Sequence, residues 1–256
     1  MIIDPKRGST MLHKLTEDQY TEPFKKPVSI TRVPPGKIID REAEDAALGS
    51  LAFIDHAVLQ KGITIKMHEH VNDEILSYVW KGTMYHKDSV GYEVPITPGN
   101  LMMMNAGESF WHEEKVKEGE VDMLQIFVRP RETDMEPEIQ FHQKPERNDD
   151  WYLMVGPENS EAPMFVRNQV YIYDIHLKAG DQVKAPQIKG YQPFLYVMDG
   201  SIEVGDQTLQ RREAVTDSDE KLPTIYVEKD ASLVLFLTDL DTEMSMAGTI
   251  SGVKSE

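Results

Sequence analysis

The chain has 256 residues, enough for one large core or for two of roughly 100 to 130 residues each, and at 40% hydrophobic residues it needs no covalent staple to fold. A mean hydropathy of -0.45 and the lack of any apolar run near the roughly 20 residues of a bilayer span predict a soluble globular protein rather than a membrane one. With no cysteine, disulfides, thiolate metal sites, iron–sulfur clusters and thiol catalysis are excluded; with 44 acidic against 27 basic residues and a net charge of -17, nucleic acid is not expected as a direct ligand.

The chain opens on "MIIDPKRGSTMLHK", which lacks the apolar core and the cleavage site of a signal peptide. It reads as a short tail, with Met11 an alternative start and a cytoplasmic location expected by default. "DREAEDAALGS", residues 40–50, is the best candidate for a helix, although 15 prolines and 16 glycines leave little room for long ones. Beyond residue 50 the chain reads as strands. "AVLQKGITIKMH", "EILSYVWKGTMYHKD", "GYEVPITPG", "DMLQIFVRP", "QVYIYDIHLKAG", "FLYVMDGSIEVGDQTL" and "SLVLFLTDL" are rich in β-branched and aromatic residues, with Gly, Pro or Asp at their ends. The fold class predicted is all-β.

The chain also repeats itself. At an offset of 118 residues, the separation of Gly62 from Gly180, Leu59 falls on Leu177, Lys66 on Lys184, Tyr78 on Tyr196, Val79 on Val197, Gly82 on Gly200 and Asp88 on Asp206, without a gap. Two copies of one β module are predicted, 1–147 and 148–256, joined through the polar stretch "HQKPERNDDW".

His68 and His70 stand two apart on a predicted strand, so both side chains leave one face, as a metal-binding pair requires. An alternative is that Thr64, Lys66, His68 and His70 are the wet face of a strand that buries Ile63, Ile65 and Met67. His112 and Glu114 form a second pair at the same spacing, and four such donors suit iron, manganese, nickel or zinc. The repeat acts as an internal control: His68 aligns with Pro186, His70 with Ile188 and Glu74 with Gln192, so the scaffold does not need those ligands. His56 and His176 are expected to be structural.

The pattern G-x5-H-E-H-x3-E-x7-G from Gly62 to Gly82 resembles the first cupin motif, and "PGNLMMMNAGESFWHEE", residues 98–114, resembles the second in the form used by pirins. The chain is similar to a pirin-type bicupin, two tandem jelly-roll β-barrels with few short helices. That resemblance implies one divalent metal, Fe(II) ahead of Mn, Ni or Zn, held by His68, His70, His112 and Glu114 in the first barrel, the second having lost its ligands. It further implies a quercetin 2,3-dioxygenase-like enzyme acting on a small aromatic substrate with O2, in which Glu114 or Glu74 takes the substrate's hydroxyl proton. The alternative it implies is a non-catalytic metal-binding or redox-sensing protein with a protein partner. Three departures lie beside the site: Glu69 replaces the proline between the histidines, "VND" the usual Arg-Gly/Asp-aromatic run, and "GESFW" the "GxGI" run. Phe110, Trp111 and Met102 to Met104 are candidates for lining a pocket, although the methionine triplet is expected rather to alternate between the barrel core and the face between the domains.

Overall fold

A computed structural model describes residues 11–253; the tail expected over the first ten residues lies outside them. Among the described residues the elements are strands and two short 3-10 helices, Glu17–Gln19 and Pro35–Ile38, and no helix is long and apolar enough to cross a membrane. The strand-forming segments read from the sequence are strands. "DREAEDAALGS" is not a helix. Asp40 accepts a bond from the backbone N–H of Glu42 at 3.0 Å and Asp45 one from Ala47 at 3.1 Å, so aspartate side chains satisfy the backbone as turns in place of a helical ladder.

The first half folds into two sheets. One runs, in spatial order, Glu138–Gln143, Asn100–Asn105, Glu74–Lys81, Glu120–Val128, Leu51–Gln60, Val28–Val33 and Thr21–Phe24; the other runs Thr64–His70, Phe110–Lys115, Met84–Asp88 and Glu93–Ile96. The second half is one large sheet centred on the long strands Tyr191–Val204 and Ile225–Asp239. Both halves are jelly-roll barrels.

The repeat is visible in the backbone. Gly62 and Gly180 have φ of 89° and 92°, and Gly82 and Gly200 have 87° and 88°, conformations that glycine adopts without a Cβ penalty. The N–H of Gly62 donates to Val116 at 2.8 Å and that of Gly180 to Val227 at 2.8 Å. A side chain at Gly82 would stand 2.3 Å from the carbonyl oxygen of Glu120, and one at Gly200 2.1 Å from that of Asp230. The two copies differ where the ligands lie: Thr64–His70 is a full strand, whereas its counterpart is the two-residue strand Gln182–Val183.

The barrels meet through the alternation of their central strands. Leu76 and Tyr78, Leu101 and Met103, Phe194 and Tyr196, and Val234 and Phe236 enter a core shared by both halves; Val79 and Met102 turn into the first barrel, and Leu195, Val197, Leu233 and Leu235 into the second. The contact is pseudo-symmetric. Tyr78 donates its hydroxyl to Asp174 at 3.1 Å, and its repeat equivalent Tyr196 lies 2.7 Å from Nδ1 of His56, the residue equivalent to Asp174. Hydroxyl-to-partner bonds thus run both ways, as in an interface between identical subunits. His56 is structural, bonded also to Asp122 at 2.7 Å.

The chain ends are exchanged between the halves. Leu12–Leu15 pairs with Ala214–Asp217 in the second barrel, while Thr249 bonds back to Val71 in the first. Glu74 sits at this junction, fully buried. Burial pushes its carboxyl from the usual 4.5 to about 7, against bonds from the Arg167 backbone N–H at 3.0 Å and from Asn105. The folded state therefore holds a proton that the unfolded chain releases between those pH values. Its stabilising contribution is complete below pH 4.5 and is lost as pH rises through 7, by roughly 3 kcal/mol. Glu74→Gln keeps an acceptor oxygen and carries no charge. Its melting temperature is expected to overtake that of the wild type between pH 5 and 8, and a gap that does not change with pH would contradict this.

Candidate metal centre

The centre is built where Thr64–His70 meets Phe110–Lys115. His68 stands directly opposite His112, and His70 opposite Phe110; beyond that point Ile65 opposes Glu114, so three steps along one strand match two along the other. This is a β-bulge at Lys66 and Met67. It explains why simple alternation fails here. Ile63 and Ile65 pack against the barrel core as expected, but Met67 is 40% exposed, and the extra residue turns His68 and His70 inward instead of leaving them on the wet face. Phe110, His112 and Glu114 are inward by ordinary parity, which leaves Trp111 on the outer face, away from the centre.

The three imidazoles converge: one donor atom from each of His68, His70 and His112 lies within 4.8 Å of the others. Nε2 of His68 and Nε2 of His70 are 3.1 Å apart. Each outer nitrogen is occupied: Nδ1 of His68 donates to the carbonyl of Lys66 at 2.9 Å, and Nδ1 of His70 to Asp73 at 2.9 Å. Those bonds fix the tautomer and leave both Nε2 lone pairs facing inward. Among the described residues His112 has no hydrogen-bond partner for either ring nitrogen although it is buried, an arrangement that costs stability unless something else uses the lone pair. Burial first, then His68, His70 and His86 beside it, lower its pKa to about 2, so the ring is neutral. Convergent, preoriented imidazoles fit a divalent transition metal.

The carboxylates are distributed differently. Glu114 is buried outside the group of mutually close donors, and the amide of Gln125 donates to both its oxygens at 2.8 Å. Burial pushes its carboxyl up to about 7, with the Gln125 bonds opposing. Glu74 is committed to Asn105 and Arg167 at the junction of the halves. His86 is bonded to Asp88 at 2.9 Å, and Glu69 accepts a 2.6 Å bond from Ser109, which joins two of the departures from the family pattern. Asp73 was not among the candidates. The signal available was a carboxylate three residues beyond a proposed ligand, within the atypical "VND".

This set of histidines on one barrel of a tandem pair defines a bicupin with a candidate metal site in its first copy. The sequence family described as Pirin matches residues 40–128, and that described as the quercetinase C-terminal cupin domain matches residues 153–238. The chain belongs to the pirin-like bicupins of the cupin superfamily. It is 22% identical over 189 residues to a quercetin 2,3-dioxygenase of Escherichia coli K12, covering 73% of this chain and 81% of that protein. It is 26% identical over 200 residues to a putative quercetin 2,3-dioxygenase of Pseudomonas aeruginosa, covering 77% and 85%. Among solved structures, it matches YhhW from Escherichia coli with a TM-score of 0.79 at 19% identity, over 89% of this chain and 97% of that one. The same bacterial pirin in complex with nickel(II) matches with a TM-score of 0.78 at 18% identity, over 90% and 99%.

Proposed function

We propose that this protein is a metal-dependent dioxygenase of the quercetin 2,3-dioxygenase type, acting on a flavonol-like aromatic substrate with O2. His68, His70 and His112 would hold the metal, iron(II) in the working enzyme, with Glu114 as the fourth donor. The observation that carries this reading is the buried His112, whose two nitrogens have no hydrogen-bond partner while two preoriented imidazoles converge on it. A buried carboxyl two residues on, with an amide as its only hydrogen-bond partner among the described residues, is the kind of group a nearby cation stabilises in charged form. When bound, the metal supplies Lewis-acid polarisation and open coordination positions for small ligands.

The protein's own residues orient and move a proton. Lys66 and Asp73 hold two rings in the ligating tautomer. Gln125 holds the Glu114 carboxylate, which would take the proton of the substrate hydroxyl when it swings off the metal. Glu74, the other carboxylate offered for that step by the motif, has its bonds at the junction of the halves. Iron-loaded protein is expected to bleach quercetin with uptake of O2, and His70→Ala to lose at least 90% of that rate, on the order of the tenfold floor for damage around a metal site. Bleaching that persists in His70→Ala would sink the proposal. Iron-loaded protein that leaves quercetin intact would instead support the non-catalytic, metal-binding reading.

A further inference from the structure

The last described segment of the chain is bonded to the candidate centre. Asp73, fully buried, accepts the bond from Nδ1 of His70 on one oxygen, and its other oxygen takes the backbone N–H of Ser251 at 2.8 Å and its hydroxyl at 2.7 Å. The N–H of Ile250 lies 3.2 Å from the first oxygen. One turn of the carboxy-terminal tail therefore holds the carboxylate that orients a proposed ligand. The tail is anchored independently: Thr249 exchanges bonds with Val71, at 2.8 Å from its N–H and 2.6 Å to its hydroxyl oxygen. Ile250 packs against the cluster of Phe53, Ile75, Phe110 and Phe127, and the carbonyl of Ser251 accepts from the buried Arg129 at 2.7 Å.

We infer that Thr249–Ser251 is a positioning element of the metal centre: by seating Asp73 it sets the tautomer and direction of His70, so that docking of the tail and loading of the metal favour one another. The inference rests on the reading of His68, His70 and His112 as ligands. Asp73 touches neither metal nor substrate and is a positioning residue. Without the tail, Asp73 loses three donors and is free to rotate, and the ring it holds samples other orientations. An outer carboxylate of this kind is worth 10- to 100-fold in metal affinity. Linkage is reciprocal, so bound metal must strengthen tail docking by the same factor.

Gly248 offers a test that leaves every bonded group in place. A Cβ there would stand 2.1 Å from the Ser251 hydroxyl and 2.6 Å from Asp73 Oδ1, so Gly248→Ala must displace the turn. Nickel(II), stable in air, serves as probe in full-length protein, with affinity read by calorimetry and tail docking by hydrogen exchange at the amides of Thr249, Ile250 and Ser251. Gly248→Ala is expected to weaken nickel(II) binding about tenfold, and saturating nickel(II) to slow exchange of those wild-type amides about tenfold. The double variant Thr249→Val, Ser251→Ala removes three side-chain bonds without added bulk and is expected to lose affinity in the same direction. Wild-type nickel(II) affinity in either variant, with its tail amides exchanging freely, would overturn the inference while leaving the metal site standing. Wild-type protein that takes up no nickel(II) would overturn the metal reading and the inference together.

Discussion

Replacing His112 with alanine is expected to empty the metal centre without unfolding the barrel. Reconstituted wild-type protein should hold about one metal per chain and the variant less than about 0.1, as for a site that has lost a ligand rather than a supporting bond. The ring is the hub of the cluster, its centroid 4.4 Å from that of His68 and 5.1 Å from that of His70. Its removal also frees two buried nitrogens from an unsatisfied environment, so the metal-free variant should melt no lower than the metal-free wild type. The second barrel has Pro186 and half-buried Ile188 at the positions where the first has His68 and His70, and folds without imidazoles there, which is why the fold is expected to survive. Added metal at 100 times its dissociation constant should stabilise the wild type by about 2.7 kcal/mol and leave the variant unmoved. Equal metal content in both proteins would contradict the assignment of His112.

The second large effect is structural. Lys144 and Asp174 form an ion pair of 2.9 Å in which both side chains are almost wholly buried, beneath the Tyr78 hydroxyl that joins the halves. Lys144→Met removes the cation and leaves the carboxylate in the interior, at an expected cost of about 3–5 kcal/mol. Asp174→Asn on its own leaves the ammonium without its partner and is also costly. The double variant removes both charges and should be less damaging than the sum of the two. Denaturant unfolding of the four proteins checks this, and strict additivity would show that the pair is not coupled.

Much of this molecule was legible from its residues because the signals were local or repeated. The strands followed from β-branched and aromatic runs between turn residues, and the offset of Gly62 from Gly180 located equivalent left-handed turns in both copies. Met102 to Met104 alternate between the first barrel and the shared core, as strand residues must. The candidate helix over residues 40–50 misled because Asp40 and Asp45 favour turns when their side chains can reach a backbone N–H. The inward turn of His68 and His70 depends on a bulge that only pairing with the partner strand reveals. Glu74 and Asp73 are adjacent in sequence, yet one faces the other half of the molecule and the other faces His70. The motif drew attention to Glu74, whereas Asp73 acquires its meaning from a tail 178 residues further along the chain.

We propose that the three histidines hold one transition metal. Diffraction from crystals of the reconstituted protein, collected at the absorption edge of the added metal, tests it most directly. One dominant anomalous peak per chain is expected, bounded by Nε2 of His68, Nε2 of His70 and a ring nitrogen of His112. A crystal that carries the metal elsewhere, with no peak among these three rings, would contradict it.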